Sequence, residues 1–322
     1  MFNLLITARS FGFASSKALE EFGKFQNLSI DQPAHDLAFS EQQMLSLVPG
    51  MDAIIVGTDK ITRNVIQNAD RLKFITKHGV GVDNIDLPAA TEAGIIVTNM
   101  PGINDRAVAD MTFGMVLSLS RGICRASSQI KRRAWDKVLG HDVFGKVMGV
   151  IGTGNIGIEV IRRASGFDME VLAYDAFLNQ ENASKYNFRY VQLDKLLKSA
   201  DIISIHIPLN PETRDLIAAP ELLKMKKSAF LINTSRAGIV NEKDLLNALS
   251  LGTIAGAAID VYPKDFPDYP GVYDLDNLII TPHIAAYTYE TLEKMDLMIV
   301  EAYKEIVSGK LPSNLNILNK AR

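Results

Sequence analysis

Cysteine is nearly absent from this chain of 322 residues; Cys124 stands alone. A single thiol makes no internal disulfide, and with five histidines it shows no zinc-ligand spacing. No sign of charge dominates. The formal net charge is −3, from 34 Lys and Arg against 37 Asp and Glu, so nothing electrostatic draws nucleic acid or an anionic membrane. Long apolar runs are missing as well. The stretch 111–119 is among the longest, and it falls well short of the roughly 20 residues of a membrane span. Met1-Phe2-Asn3-Leu4-Leu5-Ile6 meets Arg9 too soon for a signal peptide and reads as a strand. Together these absences predict a soluble, cytoplasmic protein with no nucleic acid and no membrane among its partners.

What is present suits a packed enzyme-like fold. Hydrophobic residues make up 47% of the chain, enough for a sizeable core, and the length suggests two domains. Short β-branched runs recur at 4–8, 53–56, 74–76, 95–98, 147–151, 170–173, 202–206, 230–233, 256–259 and 278–280. Helical patterns fall between them, for example 193–198, 220–225 and 243–251. The runs are almost continuously apolar, as in a parallel sheet covered on both faces. The fold class is therefore α/β, with two doubly wound parallel sheets. Asn99-Met100-Pro101-Gly102 is the clearest turn signal in the first half, and a long apolar helix follows over about 107–119. The last helical pattern, 291–307, allows the chain to return to its first unit. The expected domains are 1–99 with 290–322, and 100–289.

The strongest signal is local. Lys146-Val147-Met148-Gly149-Val150-Ile151 reads as a strand, and Gly152-Thr153-Gly154-Asn155-Ile156-Gly157 follows at once. A helical pattern comes next, then a second strand ending at Tyr174-Asp175. Gly152 permits the tight turn, Gly154 lets backbone approach a pyrophosphate, and Gly157 lets helix pack on strand. The helix N-terminus then offers amide N–H groups to phosphate. Asp175, 18 residues beyond Gly157, stands where a carboxylate accepts bonds from the ribose hydroxyls of NAD. Neither Ala176 nor Phe177 offers a cation for a 2′-phosphate, so NAD is favoured over NADP.

Three later runs end on reactive side chains. Phe230-Leu231-Ile232-Asn233 leads to Thr234-Ser235-Arg236-Ala237-Gly238, 256–259 leads to Asp260 and on to Asp265, and 278–280 leads to Thr281-Pro282-His283. Ligands of open α/β sheets bind at such strand ends. Arginine, carboxylate and imidazole there would supply an anion clamp, an orienter and a proton-transfer group.

These segments, with HGVGVDNID (78–86) and PHIAAYT (282–288), resemble the D-2-hydroxyacid dehydrogenase family, most closely its phosphoglycerate-dehydrogenase-like members. The likeness spans roughly 4–303 in order and spacing. It implies Rossmann-like and flavodoxin-like domains with a cleft between them, the first part binding substrate and 100–289 binding NAD, in a homodimer built on the NAD-binding domain. It implies that His283 passes the proton, that Arg236 forks the substrate carboxylate, and that Asp260 contacts the nicotinamide end. The loop His206, Pro208 and Thr213 resembles the family's cover over the adenine side, and Thr234 and Ser235 would lie along the cofactor. Backbone N–H groups at Val80 and Gly81 would complete the carboxylate site.

Two departures from the pattern matter. The acid that partners the histidine is usually Glu in this family; here Asp265 takes its place, with Asp268 a competitor. Gly57 stands where phosphoglycerate dehydrogenases often carry an arginine for the phosphate. Arg9 with Ser10, or Lys77, would then meet the far anionic end of the substrate, although Arg9 also reads as an exposed turn residue. The implied activity is interconversion of a D-2-hydroxyacid, 3-phosphoglycerate first, and its 2-ketoacid. Hydroxypyruvate or glyoxylate reduction is the alternative, and a non-catalytic NAD(H)-sensing interaction protein is the rival from another class.

Overall fold

The computed structural model describes residues 1–35, 37–262 and 271–319. The chain divides into two compact units, Met1–Asn104 with Tyr287–Arg322, and Asp105–Ala286. In chain order the first unit carries β1 (Phe2–Ile6), β2 (Leu28–Asp31), β3 (Ala53–Val56), β4 (Phe74–Lys77) and β5 (Ile96–Asn99). The second carries β6 (Val147–Ile151), β7 (Glu170–Tyr174), β8 (Arg189–Tyr190), β9 (Ile202–Ile205), β10 (Phe230–Asn233), β11 (Gly256–Ile259) and β12 (Leu278–Ile280). After the helix Tyr289–Val307, β13 (Asn316–Ile317) closes the first unit's sheet.

The first sheet runs β13-β5-β4-β3-β1-β2, parallel throughout except for the antiparallel β13. The order reverses at β1 and β3, the place where doubly wound sheets bind ligands. Two cores flank it. One packs Leu4, Ile6, Ala53 and Ile55 against Phe11, Phe22 and the Met295–Tyr303 face of the last helix. The other packs Leu5, Ile54, Val56 and Ile75 against Met44, Val65 and Ala90. Consecutive residues of one strand thus serve opposite cores, which is why the runs are apolar without alternation. Gly57 has a steric reason. A Cβ there would meet Ala8 Cα at 3.2 Å, so the chain after β3 lies tight against the chain after β1.

The second sheet runs β12-β11-β10-β9-β6-β7-β8, all parallel, and reverses between β6 and β9. The helices Asp105–Ser120 and Asn155–Ser165 share one core with Val150, Ala173 and Ile232. Leu197, Leu245 and Leu249 fill the core on the other face.

The expectation of two parallel doubly wound sheets matches this architecture. Ten expected strands are present, within two residues at their ends; β2, β8 and β13 are additional. The expected helix 220–225 stops at Leu222. Among the described residues no single helix is long and apolar enough to cross a membrane.

Candidate active site

The glycine turn after β6 is built by exclusion. Gly152 has φ of +95°, and a Cβ there would meet the His206 carbonyl oxygen at 2.4 Å. At Gly157 a Cβ would lie 2.0 Å from Gly152 O. Both positions therefore demand glycine for the protein's own packing. Gly154 differs: nothing lies within 4 Å of a Cβ placed there, and both Gly154 and Asn155 are exposed. Its hydrogen leaves room for an incoming group rather than for a neighbour. Gly154 also caps the helix Asn155–Ser165 without any side-chain hydrogen bond, so the first-turn N–H groups point outward with no protein cap. Ile156 packs partly against the core beneath.

Asp175 follows β7 and turns toward this site. Its Oδ2 accepts the Thr153 backbone N–H at 2.6 Å and the Thr153 hydroxyl at 2.9 Å, while Oδ1 accepts from Phe177 N at 2.9 Å. Thr153 Oγ1 also meets Tyr190 Oη at 2.8 Å. Thr153, expected to touch the cofactor, is instead buried and braces the acid. A carboxylate has about four lone-pair positions and three are taken here, so Asp175 keeps capacity for one ribose hydroxyl. Open space at Gly154, an uncapped helix start and an oriented acid fit a dinucleotide's pyrophosphate and ribose.

His206 closes the turn from β9. Its Nε2 meets Ser204 Oγ at 2.7 Å, and Nδ1 is enclosed without a partner. Burial pushes the imidazole down to about 3, because no opposite charge offsets its desolvation. The ring is neutral throughout the physiological range. Thr213 has its hydroxyl on Pro208 O at 2.7 Å and on the Asn210 side chain at 3.0 Å, which stitches this exposed loop together.

The turn after β10 is laced by Asn233. Its Oδ1 accepts the Ser235 N–H at 3.0 Å and the Ser235 hydroxyl at 2.8 Å, and its Nδ2 donates to Arg236 O at 2.9 Å. Thr234 is buried with its hydroxyl 3.1 Å from Thr112 Oγ1. The Thr234 and Ser235 side chains are thus used internally, and a cofactor contact from this turn falls to backbone. Arg236 is half-buried, with Nη1 donating to Ser235 O at 2.8 Å.

Asp260 requires a correction. Only 1% exposed, it does not reach outward to a nicotinamide. Its Oδ1 accepts the Thr281 hydroxyl at 2.5 Å and Ile284 N–H at 2.9 Å; its Oδ2 accepts Ala285 N–H at 2.8 Å. The carboxylate grips both ends of the Thr281–Ala285 loop, and His283 sits at the crest, exposed, with φ of +56°. A non-glycine residue in that region is strained, and such strain persists only where surroundings impose it. A buried core histidine would look otherwise. Asp265 and Asp268 lie outside the described residues.

In the first unit, Arg9 is exposed just beyond β1, at the reversal of strand order. Ser10, beside it, holds its hydroxyl 3.0 Å from His78 Nδ1. Lys77 is buried and donates to Gly57 O at 2.5 Å and Asn84 Oδ1 at 2.9 Å, a clasp between two loops rather than an outward cation. Val80 and Gly81 lie half-buried in the loop after β4, where the Val80 carbonyl accepts from Asn99 Nδ2 at 2.6 Å. Sequence reasoning missed His78 and Asp296. A charge on the apolar stripe Leu292, Met295, Ile299 of the last helix was the available signal for Asp296.

A glycine turn at a strand-order reversal, an uncapped helix and an oriented acid define a dinucleotide-binding dehydrogenase unit. Residues 113–285 match the family model "D-isomer specific 2-hydroxyacid dehydrogenase, NAD binding domain". The chain is 38% identical over 304 residues to the D-3-phosphoglycerate dehydrogenase of Methanocaldococcus jannaschii, covering 93% of this chain and 56% of that protein. It is 36% identical over 285 residues to the glyoxylate reductase of Korarchaeum cryptofilum, covering 86% of each. The crystal structure of Aquifex aeolicus D-lactate dehydrogenase complexed with NAD and lactic acid is similar at a TM-score of 0.83 and 29% identity, over 95% of this chain and 96% of that one. The chain belongs to the D-isomer specific 2-hydroxyacid dehydrogenase family, and its second unit is the NAD-binding domain. It spans about half the length, 56%, of the D-3-phosphoglycerate dehydrogenase relative from Methanocaldococcus.

Proposed function

We propose that the protein interconverts a D-2-hydroxyacid and its 2-ketoacid with NAD(H), and that 3-phosphoglycerate is the leading substrate ahead of glyoxylate or hydroxypyruvate. The observation that carries this reading is His283, exposed and strained at the crest of a loop gripped by buried Asp260. When bound, NAD(H) supplies or accepts the hydride at the substrate's C2. His283 gives a proton to the C2 oxygen in reduction and removes it in oxidation, a task suited to an imidazole near neutral pH. Arg236, fixed by the Asn233 lacing, holds the substrate carboxylate through its planar fork. Gly154 and the first turn of Asn155–Ser165 take the pyrophosphate, and Asp175 takes a ribose hydroxyl.

The phosphorylated substrate draws support from exposed Arg9 at the strand-order reversal and from the relatives' names; glyoxylate and hydroxypyruvate reductases of similar identity keep the smaller acids in view. A homodimer is supported by the apolar surface of the second unit, where Ile123, Ile130, Trp135, Leu139 and Phe144 are all at least half exposed.

The test is NADH oxidation against phosphohydroxypyruvate, hydroxypyruvate, glyoxylate and pyruvate, with His283→Ala and Arg236→Ala beside the wild type. Turnover of at least one acid, lost by about 100-fold or more without His283, is expected. NADH binding with no turnover of any acid would overturn the enzyme reading in favour of a sensing role.

A further inference from the structure

The first unit holds a buried histidine–aspartate pair for which the proposed chemistry has no use. His78 Nε2 lies 2.7 Å from Asp296 Oδ1, and the two side chains are only 2% and 1% exposed. Asp296 Oδ2 accepts the Gly12 N–H at 2.9 Å, and the Phe11 ring packs edge-on against the imidazole at 5.9 Å. On the far side of the ring, Nδ1 meets Ser10 Oγ at 3.0 Å, and Ser10 is half-buried. The chain Asp296–His78–Ser10 thus runs from the interior of the last helix to the turn after β1, where the strand order reverses.

The polarity of this chain follows from its buried end. An ionised carboxylate only accepts, so Nε2 carries a proton, and the state of Nδ1 decides what Ser10 presents. With Nδ1 bare, the Ser10 hydrogen is spent on the ring; Ser10 shows only lone pairs outward, and the pair beneath carries a net negative charge. With Nδ1 protonated, the ring donates to Ser10 Oγ and releases the hydroxyl hydrogen outward, and the pair is neutral. An anion at Ser10 is repelled by the first state and bonded by the second. A ligand shifts a population by its differential affinity, so an anion selects the donor state and an uncharged group does not.

Resting on the 2-ketoacid reading above, we infer that His78 and Asp296 are positioning residues that make Ser10 a hydrogen-bond donor to a second anionic group of the substrate. That group is a carboxylate or a phosphate beyond the 2-keto acid moiety. Arg9, the preceding residue, lies in the same turn just beyond β1.

Matched substrate pairs test it: phosphohydroxypyruvate against hydroxypyruvate, and 2-oxoglutarate against 2-oxopentanoate. The readout is the ratio of kcat/KM for the charged member over the uncharged one. Ser10→Ala should lower that ratio by on the order of 10- to 100-fold for whichever anion is the native one, the value of a hydrogen bond to a charged group. Ser10→Thr should keep the ratio near wild type. Asp296→Asn should lower it too, and Ser10→Ala/Asp296→Asn should fall no further than Ser10→Ala alone, because Asp296 acts through Ser10. If Asp296→Asn does not fold, the Ala and Thr variants at Ser10 decide the matter. An unchanged ratio in Ser10→Ala, or additive losses in the double variant, overturns the inference while the dehydrogenase reading stands. A wild type that reduces none of the acids overturns both.

Discussion

Asp260→Asn is the most telling perturbation, because it changes the charge and donor pattern at the base of the His283 loop while preserving shape. The carboxylate accepts three bonds, from the Thr281 hydroxyl, Ile284 N–H and Ala285 N–H, at 2.5, 2.9 and 2.8 Å. An amide has one oxygen and one NH2, so at least one of the two backbone donors must face another donor. A buried donor left unsatisfied costs about 1–3 kcal/mol, and the surviving bonds weaken as the charge is lost. A total of about 2–4 kcal/mol corresponds to a fall in melting temperature of roughly 4–16 °C for a unit of this size. The left-handed backbone at His283, which costs about 1–2 kcal/mol, then has less to hold it, and the loop relaxes. The kcat for ketoacid reduction at saturating NADH should drop by at least about 100-fold, the contribution of a positioned proton donor. Asp260→Asn/His283→Ala should be no slower than His283→Ala alone. Steady-state NADH oxidation, thermal melts and NADH titration by fluorescence read all of this. A variant with normal kcat and melting temperature but weakened NADH affinity would refute the reasoning and return Asp260 to the nicotinamide.

Three further outcomes are expected. Gly154→Ala should fold with an unchanged melting temperature yet lose NADH affinity, whereas Gly157→Ala, with its Cβ 2.0 Å from Gly152 O, should lose stability itself; equal behaviour in thermal melts would defeat the distinction. Because the folded-state pKa of His206, about 3, lies below the unfolded value near 6.5, its neutral ring favours folding fully above pH 6.5. That contribution is lost at up to about 1.4 kcal/mol per pH unit as pH falls from 6.5 toward 3, so His206→Gln should show a flatter acid side in denaturant titrations. Leu139→Glu, placed on the 98% exposed apolar patch residue, should convert a dimer to monomer by multi-angle light scattering, and an unaltered mass would remove that patch from the interface.

Much of this molecule was legible in the sequence, for a physical reason that also marks the boundary. Strands buried on both faces, such as β3 and β10, are apolar at every position, so their runs stand out. The edges do not: β2 has two exposed and two half-buried residues, and β8 and β13 are two residues long. Glycines at 152 and 157 were readable because sterics allow nothing else there. The direction of Asp260 was not, since a strand end fixes where a side chain starts and not whether it turns outward or back under its neighbour's loop. That choice is set by the Thr281 hydroxyl and the Ile284 and Ala285 N–H groups that meet the carboxylate, donors more than 20 positions away that the segment around Asp260 does not announce. Ser10, His78 and Asp296 are further removed still, 68 and 218 positions apart, and meet only because the last helix packs beside β1. A buried acid in an apolar helical stripe needs a donor from elsewhere in the fold. Such a residue is therefore a pointer to a long-range partner, even when its own segment says nothing about which one, and at position 296 that pointer leads to the rim of the sheet where substrate recognition is proposed.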